Sequence, residues 1–263
     1  MTESSATVLA GCRIWVTRPR AQAQALCELI RNAGGNAIEV PVTEMVPAPD
    51  QNAASTALRQ IAQRDLCIFI SRNAVRFALE LAPALASDRG KCMMLAVGAG
   101  TAAELSGFGI SAATGPGPAF GADDLLTLPQ LQASALRGRS VMIIRGTGGQ
   151  ETLRDELMRR GADVCYAEVY ERRRTEYDPE YRQRLWRQTP PDVIVLTSVG
   201  AVRALLELTP KELHSRLLQS VLVVISERVS ASARRAGFAG PILIAAGATD
   251  PILYQTLVTW RSN

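Results

Sequence analysis

The chain has 263 residues, 47% of them hydrophobic and 21% charged, and a formal charge of +4. That composition supports a large apolar core and excludes disordered and fibrous classes, while the length suits one large domain or two of ordinary size. The longest apolar runs, such as VLVVI at 221–225, fall far short of the ~18 residues a membrane span needs.

In chain order, IWV at 14–16 reads as a short strand. A helix follows with Leu26, Leu29 and Ile30 on one face, stopped at Gly34-Gly35. LCIFI at 66–70 and MMLAV at 93–97 are the next strands, and ISAAT at 110–114 is a further candidate. VMII at 141–144, VIVL at 193–196 and VLVVI at 221–225 continue the alternation. Continuous apolar strands separated by amphipathic helices indicate parallel sheets covered on both faces.

Superimposed on this alternation is an internal repeat. IFISRNAVRFALE at 68–80 aligns with VLTSVGAVRALLE at 195–207 at an offset of 127, so Ser71 meets Ser198 and Glu80 meets Glu207. The same offset places Arg18 on Arg145, Leu26 on Leu153 and Gly34 on Gly161. The segments 93–109 and 221–237 align at 128, a one-residue slip in the loop after Glu80. Three separated segments in one register indicate a duplication. The expected fold is α/β, with two flavodoxin-like domains, each a doubly wound parallel sheet.

Such folds bind ligands outside the carboxyl ends of their strands. The residues at those ends are Thr17-Arg18, Ser71-Arg72-Asn73, Gly98-Ala99-Gly100-Thr101, Arg145-Gly146-Thr147-Gly148-Gly149, Thr197-Ser198-Val199-Gly200 and Ser226-Glu227-Arg228. Nearly every end offers a hydroxyl, a glycine or an arginine just before a helix start, where free N–H groups attract anions. Ser and Thr are also ordinary N-caps, which is the competing reading at each position. Six such ends on two domains favour a ligand with several carboxylates.

Several chemistries are excluded. One histidine, His214, rules out a His-rich metal site and argues against a Ser-His-Asp triad. Five cysteines without a CxxC pair form neither a disulfide framework nor a zinc site. Of 29 basic residues only Lys91 and Lys211 are lysines, and the densest basic run is ERRR at 171–174, too short for a nucleic-acid stripe. VGAGTAA at 97–103 fits a dinucleotide loop loosely, but no acidic residue ends the next candidate strand. RGTGGQET at 145–152 lacks the Lys-Ser/Thr of a P-loop. The opening MTESSATVLAGC carries no basic start or long apolar run, so no secretory signal is expected and the compartment expected is the cytoplasm.

WVTRP, FISRNAV, AVGAGTAAEL, IIRGTGGQETL, RGADV and AEVYER, in that order and spacing, resemble uroporphyrinogen-III synthase from about residue 13 to 258. The resemblance implies that the chain crosses twice between domains. One domain would be 1–42 with 174–263 and the other 43–173, with EVPVTEMVPAP at 39–49 and EVYERRRTEY at 168–177 side by side as a two-stranded linker. It further implies cyclisation of hydroxymethylbilane, a linear tetrapyrrole with eight carboxylates, with inversion of the last ring, loss of water and no cofactor. Tyr170 is the candidate general acid. Ser71, Thr101, Ser198 and Ser226 match the family's polar loop positions and would contact carboxylates; Arg18, Asn73, Gly98, Arg145, Gly146, Thr197, Gly200 and Arg228 complete the substrate-binding set read from the strand ends, with a turn cap as the competing reading for the twinned Arg18 and Arg145. The sequence departs from the family pattern at Glu227-Arg228-Val229, where small hydroxyl residues are usual; Arg228 could replace them as an anion ligand. A monomer without nucleic-acid or membrane partners is expected. The alternative is a catalytically silent anion-binding or regulatory module on the same fold.

Overall fold

The computed structural model describes residues 7–116 and 121–262; the first six residues of the amino-terminal stretch scanned for a signal lie outside the described residues. The described residues form ten strands: β1 Arg13–Val16, β2 Asn36–Glu39, β3 Thr43–Pro47, β4 Leu66–Phe69, β5 Met93–Ala96, β6 Ser140–Gly146, β7 Asp163–Arg174, β8 Val193–Leu196, β9 Val221–Val224 and β10 Ile242–Ile244. They build two five-stranded sheets, ordered β10-β9-β8-β1-β2 and β3-β7-β6-β4-β5. No helix is long and apolar enough to cross a membrane among the described residues.

The chain divides into two compact units. One takes the chain up to Glu44 and from Arg173 onward, and the other is Met45–Arg172. The crossings fall inside β3 and β7, which are sheet neighbours. Thr175 donates its N–H to Val42 O (3.2 Å) and Ala48 to Val169 O (3.2 Å). Residue numbers fall along one segment as they rise along the other, so this pair runs antiparallel.

In the first unit all strand pairs are parallel, β1 with β2 and β8, β9 with β8 and β10. Alternate residues serve opposite faces, as the pleat requires. Ile14, Val16, Val193, Val195 and Val223 enter the core beneath the helices Arg20–Asn32 and Asp250–Ser262. Trp15, Ile194, Leu196, Leu222 and Val224 enter the opposite one, beneath Val199–Leu208 and Glu227–Arg235. The second unit repeats the scheme, with Cys67, Phe69, Met94, Met142 and Ile144 on one face and Leu66, Ile68, Leu95, Val141 and Ile143 on the other. Two apolar faces per sheet explain why the strand sequences read as unbroken hydrophobic runs.

Two local expectations are corrected. Helix Arg20–Asn32 buries Ala23, Leu26, Cys27 and Ile30, while Leu29 is only half buried. Cys27, one residue after Leu26, widens the stripe and displaces Leu29 to its edge. Gly34 ends this helix at φ 78°, a left-handed conformation natural to glycine. ISAAT does not form a strand: only Ala113 bridges to Leu95, because the chain meets Gly115 and Pro116 and leaves the sheet. The fifth strand of that sheet is β3 instead.

Candidate functional site

In the second unit, Ser71 follows β4 with extended backbone and caps the helix Arg72–Leu81, its Oγ accepting from Ala74 N–H at 3.1 Å. The Tyr170 hydroxyl, carried on β7, lies 3.1 Å from that same Oγ. Tyr170 is fixed from two further sides. Its ring stacks on Phe77 at 5.6 Å between centroids, and a Cβ at Gly146 would come within 2.7 Å of it. Glycine at 146 therefore makes room for the phenol. The register shift between Arg145 and Gly146 brings Gly146 opposite Tyr170. Asn73 stands half buried in the first turn of the capped helix.

Gly98 follows β5 at φ 87° and ψ 154°, a conformation that side chains other than hydrogen strongly disfavour, and opens the helix Ala99–Gly107. Thr101 is buried in that first turn, and its N–H donates to Gly98 O at 3.1 Å. Arg72 passes beside Gly100, its Cδ 3.9 Å from where a Cβ would stand.

Arg145, 2% exposed, turns back into the loop that follows β6. Its Nε donates to Gly146 O (3.1 Å), and its Nη1 donates to Gln150 O (3.4 Å) and Glu151 Oε1 (3.0 Å). The guanidinium lies over the Tyr166 ring at 4.5 Å. Glu151 accepts from the Tyr166 hydroxyl at 2.5 Å and from Arg154 Nη1 at 3.3 Å. The Tyr166 hydrogen bond, followed by the two arginines, holds the Glu151 carboxyl below its ordinary pKa, and burial pushes the Tyr166 phenol up.

In the first unit Ser198 caps the helix Val199–Leu208 as Ser71 does in the second, its Oγ accepting from Ala201 N–H at 3.1 Å. Thr197 is half buried at the end of β8, and Gly200 faces open space, with nothing near a hypothetical Cβ. Ser226 caps Glu227–Arg235 by accepting from Val229 N–H at 3.4 Å, and Arg228 is exposed in the first turn. Arg18, its side chain 12% exposed, forms an ion pair with Asp250.

The capping reading thus holds for all three serines. Their oxygens serve their own helices, and each retains one hydroxyl proton to donate. The ends of β4, β5 and β6 bring Ser71, Asn73, Gly98, Thr101, Arg145 and Gly146 to one edge of one sheet, where β7 adds Tyr170; the ends of β1, β8 and β9 do the same for Arg18, Thr197, Ser198, Gly200, Ser226 and Arg228. Among the described residues no three His, Cys, Asp or Glu converge as a metal requires. Sequence reading did not single out Phe77, Tyr166 or Glu151. Tyr166 packs against the Ile68, Leu95 and Val141 face of the sheet and Tyr170 against the Phe69, Met142 and Ile144 face, because the register shift before Tyr170 turns the strand over between them, so their even spacing in the sequence gives no signal.

The sequence profile described as "Uroporphyrinogen-III synthase HemD" matches residues 24–254. The chain is 32% identical to the uroporphyrinogen-III synthase of Salmonella typhimurium over 249 residues, covering 93% of this chain and 99% of that protein. It is 30% identical to the Escherichia coli enzyme with the same coverage. The fold matches a mutant uroporphyrinogen III synthase from the extremely thermophilic bacterium Thermus thermophilus with a TM-score of 0.58 at 23% identity, over 96% of this chain and 98% of that one. The Helicobacter pylori uroporphyrinogen-III synthetase matches with a TM-score of 0.58 at 16% identity, over 95% and 99%. Length, order of motifs and fold converge, and the chain belongs to the uroporphyrinogen-III synthase family, cyclising lyases of tetrapyrrole biosynthesis.

Proposed function

We propose that this chain cyclises hydroxymethylbilane with Tyr170 as the general acid and the two sets of strand-end loops as carboxylate ligands. The observation that carries the assignment is the Tyr170 hydroxyl 3.1 Å from Ser71 Oγ, at the start of a helix. Ser71 Oγ already accepts the Ala74 N–H, and by donating its own proton to the phenol oxygen it would leave the Tyr170 proton free for the leaving group and stabilise the phenolate that forms. The phenol and the hydroxyl form a short donor chain supported by the positive end of the helix.

The reaction needs a proton delivered to the leaving hydroxyl oxygen. The C–O bond breaks, water departs, and the electron-rich pyrrole supports the cation left on the methylene carbon. The substituted carbon of the last ring then attacks that carbon, giving a spiro intermediate, and ring opening and reclosure invert the ring. Left alone, the chain closes without inversion, so the protein's main task is to hold a folded conformer while charge develops. The loops at Arg18, Ser71, Asn73, Gly98, Thr101, Gly146, Thr197, Ser198, Gly200, Ser226 and Arg228 would hold the acid side chains through helix N–H groups and hydroxyl donors. Electron-rich pyrroles expel water without a metal or strong nucleophile, so no cofactor has a role in this reading.

We further propose that 1–42 with 174–263 and 43–173 act as separate domains, and that the protein works as a cytoplasmic monomer without nucleic-acid or membrane partners. The test is to incubate the protein with freshly made hydroxymethylbilane, oxidise the product and resolve the porphyrin isomers. Isomer III is expected; isomer I alone, as in a blank, overturns the function. A Tyr170→Phe protein that keeps the full rate overturns the acid assignment and leaves the function standing.

A further inference from the structure

The environment of Arg145 is unlike that of a structural arginine. A guanidinium withdrawn from water normally has each of its N–H groups paired, because an unmade bond there is costly. Arg145 is 2% exposed, yet its Nη2 is buried without a hydrogen-bond partner among the described residues. Its chief counter-ion, Glu151, has a side chain 47% exposed, and Glu168 stands farther off, 3.8 Å from Nε. The loop lying over the guanidinium contains Gly146, Gly148 and Gly149. A Cβ at Gly149 would fall 2.3 Å from Nη2, and Gly148 sits at φ 69°. Only glycine can close over the cation in this way, and a glycine loop can also reopen at small cost.

Glu151 therefore occupies a site with the features of a carboxylate receptor. Arg145 Nη1 donates to one oxygen; Tyr166 and Arg154 donate to the other. The residue stands immediately before the helix Thr152–Arg159, where helix dipole and free N–H groups add to the attraction. We infer that Arg145, Arg154 and Tyr166 form a carboxylate subsite, which Glu151 fills as an internal competitor until a substrate carboxylate displaces it and engages the spare Nη2. The inference rests on the proposed function for the identity of that substrate. Because Glu151 is half exposed, its release returns a carboxylate to water and leaves no buried charge behind.

The test measures binding of uroporphyrin, an octacarboxylate, to the full chain by fluorescence titration. Glu151→Gln should tighten binding roughly tenfold, the fold-change of one charge-assisted hydrogen bond no longer broken. Glu151→Ala, which empties the subsite and keeps all its donors, should tighten it by a similar factor. Arg154→Gln should weaken it. The octamethyl ester of uroporphyrin should bind wild type and Glu151→Gln alike. Unchanged or weaker uroporphyrin affinity in both Glu151→Gln and Glu151→Ala overturns the subsite. If Glu151→Gln does not fold, the Glu151→Ala result decides by its sign. Isomer III formed by wild type alongside unchanged affinities overturns the competitor while the proposed function stands. Isomer I alone from wild type, with tighter binding in the variants, overturns that function while supporting the subsite.

Discussion

The two units share one scaffold and differ at their rims. Taken from β1, the first unit's sheet reads β2-β1-β8-β9-β10; taken from β6, the second reads β7-β6-β4-β5 in the corresponding places, with the Ala113 bridge beyond β5. Each unit therefore combines the first half of one repeat with the second half of the other. Ser71 and Ser198 hold nearly the same backbone angles, φ −163° and −157°, and make the same 3.1 Å cap. Around them the side chains diverge. At an offset of 127, Tyr170 corresponds to Thr43 and Phe77 to Ala204, so the ring pair that braces a phenol at the Ser71 cap has no counterpart at the Ser198 cap. The twinned arginines part in the same way. Arg18 is settled on Asp250, whereas Arg145 is deeply buried with a donor unused. Duplication preserved what folding needs, the cap and the alternating core, and left the rim free to specialise.

The sharpest way to break this comparison is through the cores. Trp15 and Phe69 are fully buried, one in each unit, and Trp15 meets Trp186 edge-on at 4.9 Å. Trp15→Ala and Phe69→Ala should each cost about 3–5 kcal/mol. All three tryptophans, Trp15, Trp186 and Trp260, belong to the first unit, so their fluorescence reports that unit alone. In denaturant titrations Phe69→Ala should move the far-UV circular dichroism transition and leave the tryptophan transition of the first unit in place. Coincident shifts would show that the units unfold as one.

Next in size comes the asymmetry of chemistry. Tyr170→Phe should lower kcat about 100-fold, the usual scale of a lost proton donor, with KM little changed. Ser198→Ala, at the corresponding cap, should raise KM and leave kcat within a factor of about three. Equal kcat losses in both would erase the distinction between a reacting rim and a binding rim. Ser198→Ala should also cost about 1 kcal/mol of stability as a lost cap, as should Ser71→Ala, measured by thermal unfolding.

The smallest effect separates the units by pH. Asp65, in the second unit, accepts from Ser140 N–H at 2.8 Å, from Ser140 Oγ and from Arg139, which holds its carboxyl down at about 2. A carboxyl depressed in the folded state stabilises above its unfolded pKa and loses that contribution as pH falls through the folded value. The Tm gap between wild type and Asp65→Asn should therefore be full above pH ~4 and vanish toward pH ~2. A gap that widens on acidification would reverse the sign.

Much of this is legible in the residues. The apolar strands at 66–70, 193–196 and 221–225 can only be buried on both faces, and the repeat locates equivalent caps from the residue pattern alone. A residue facing the wrong way inside a stripe is harder to read, which is why periodicity favours Leu29 for the core and passes over Cys27. ISAAT carries β-forming residues but is overruled by the Gly-Pro sequence behind it, and β3 takes the fifth place in the sheet.

By itself, then, the amino-acid order determined the class of fold, the strand–helix alternation and which loops stand at the carboxyl ends of strands, because periodicity and capping are local physics. Only the tertiary structure decided that Tyr170 meets Ser71 across 99 residues, and that Arg145 turns inward onto Glu151 and Tyr166. Those contacts depend on strand register, on a register shift at Gly146 and on the close approach only glycine permits, none of which is encoded within any single stretch of chain.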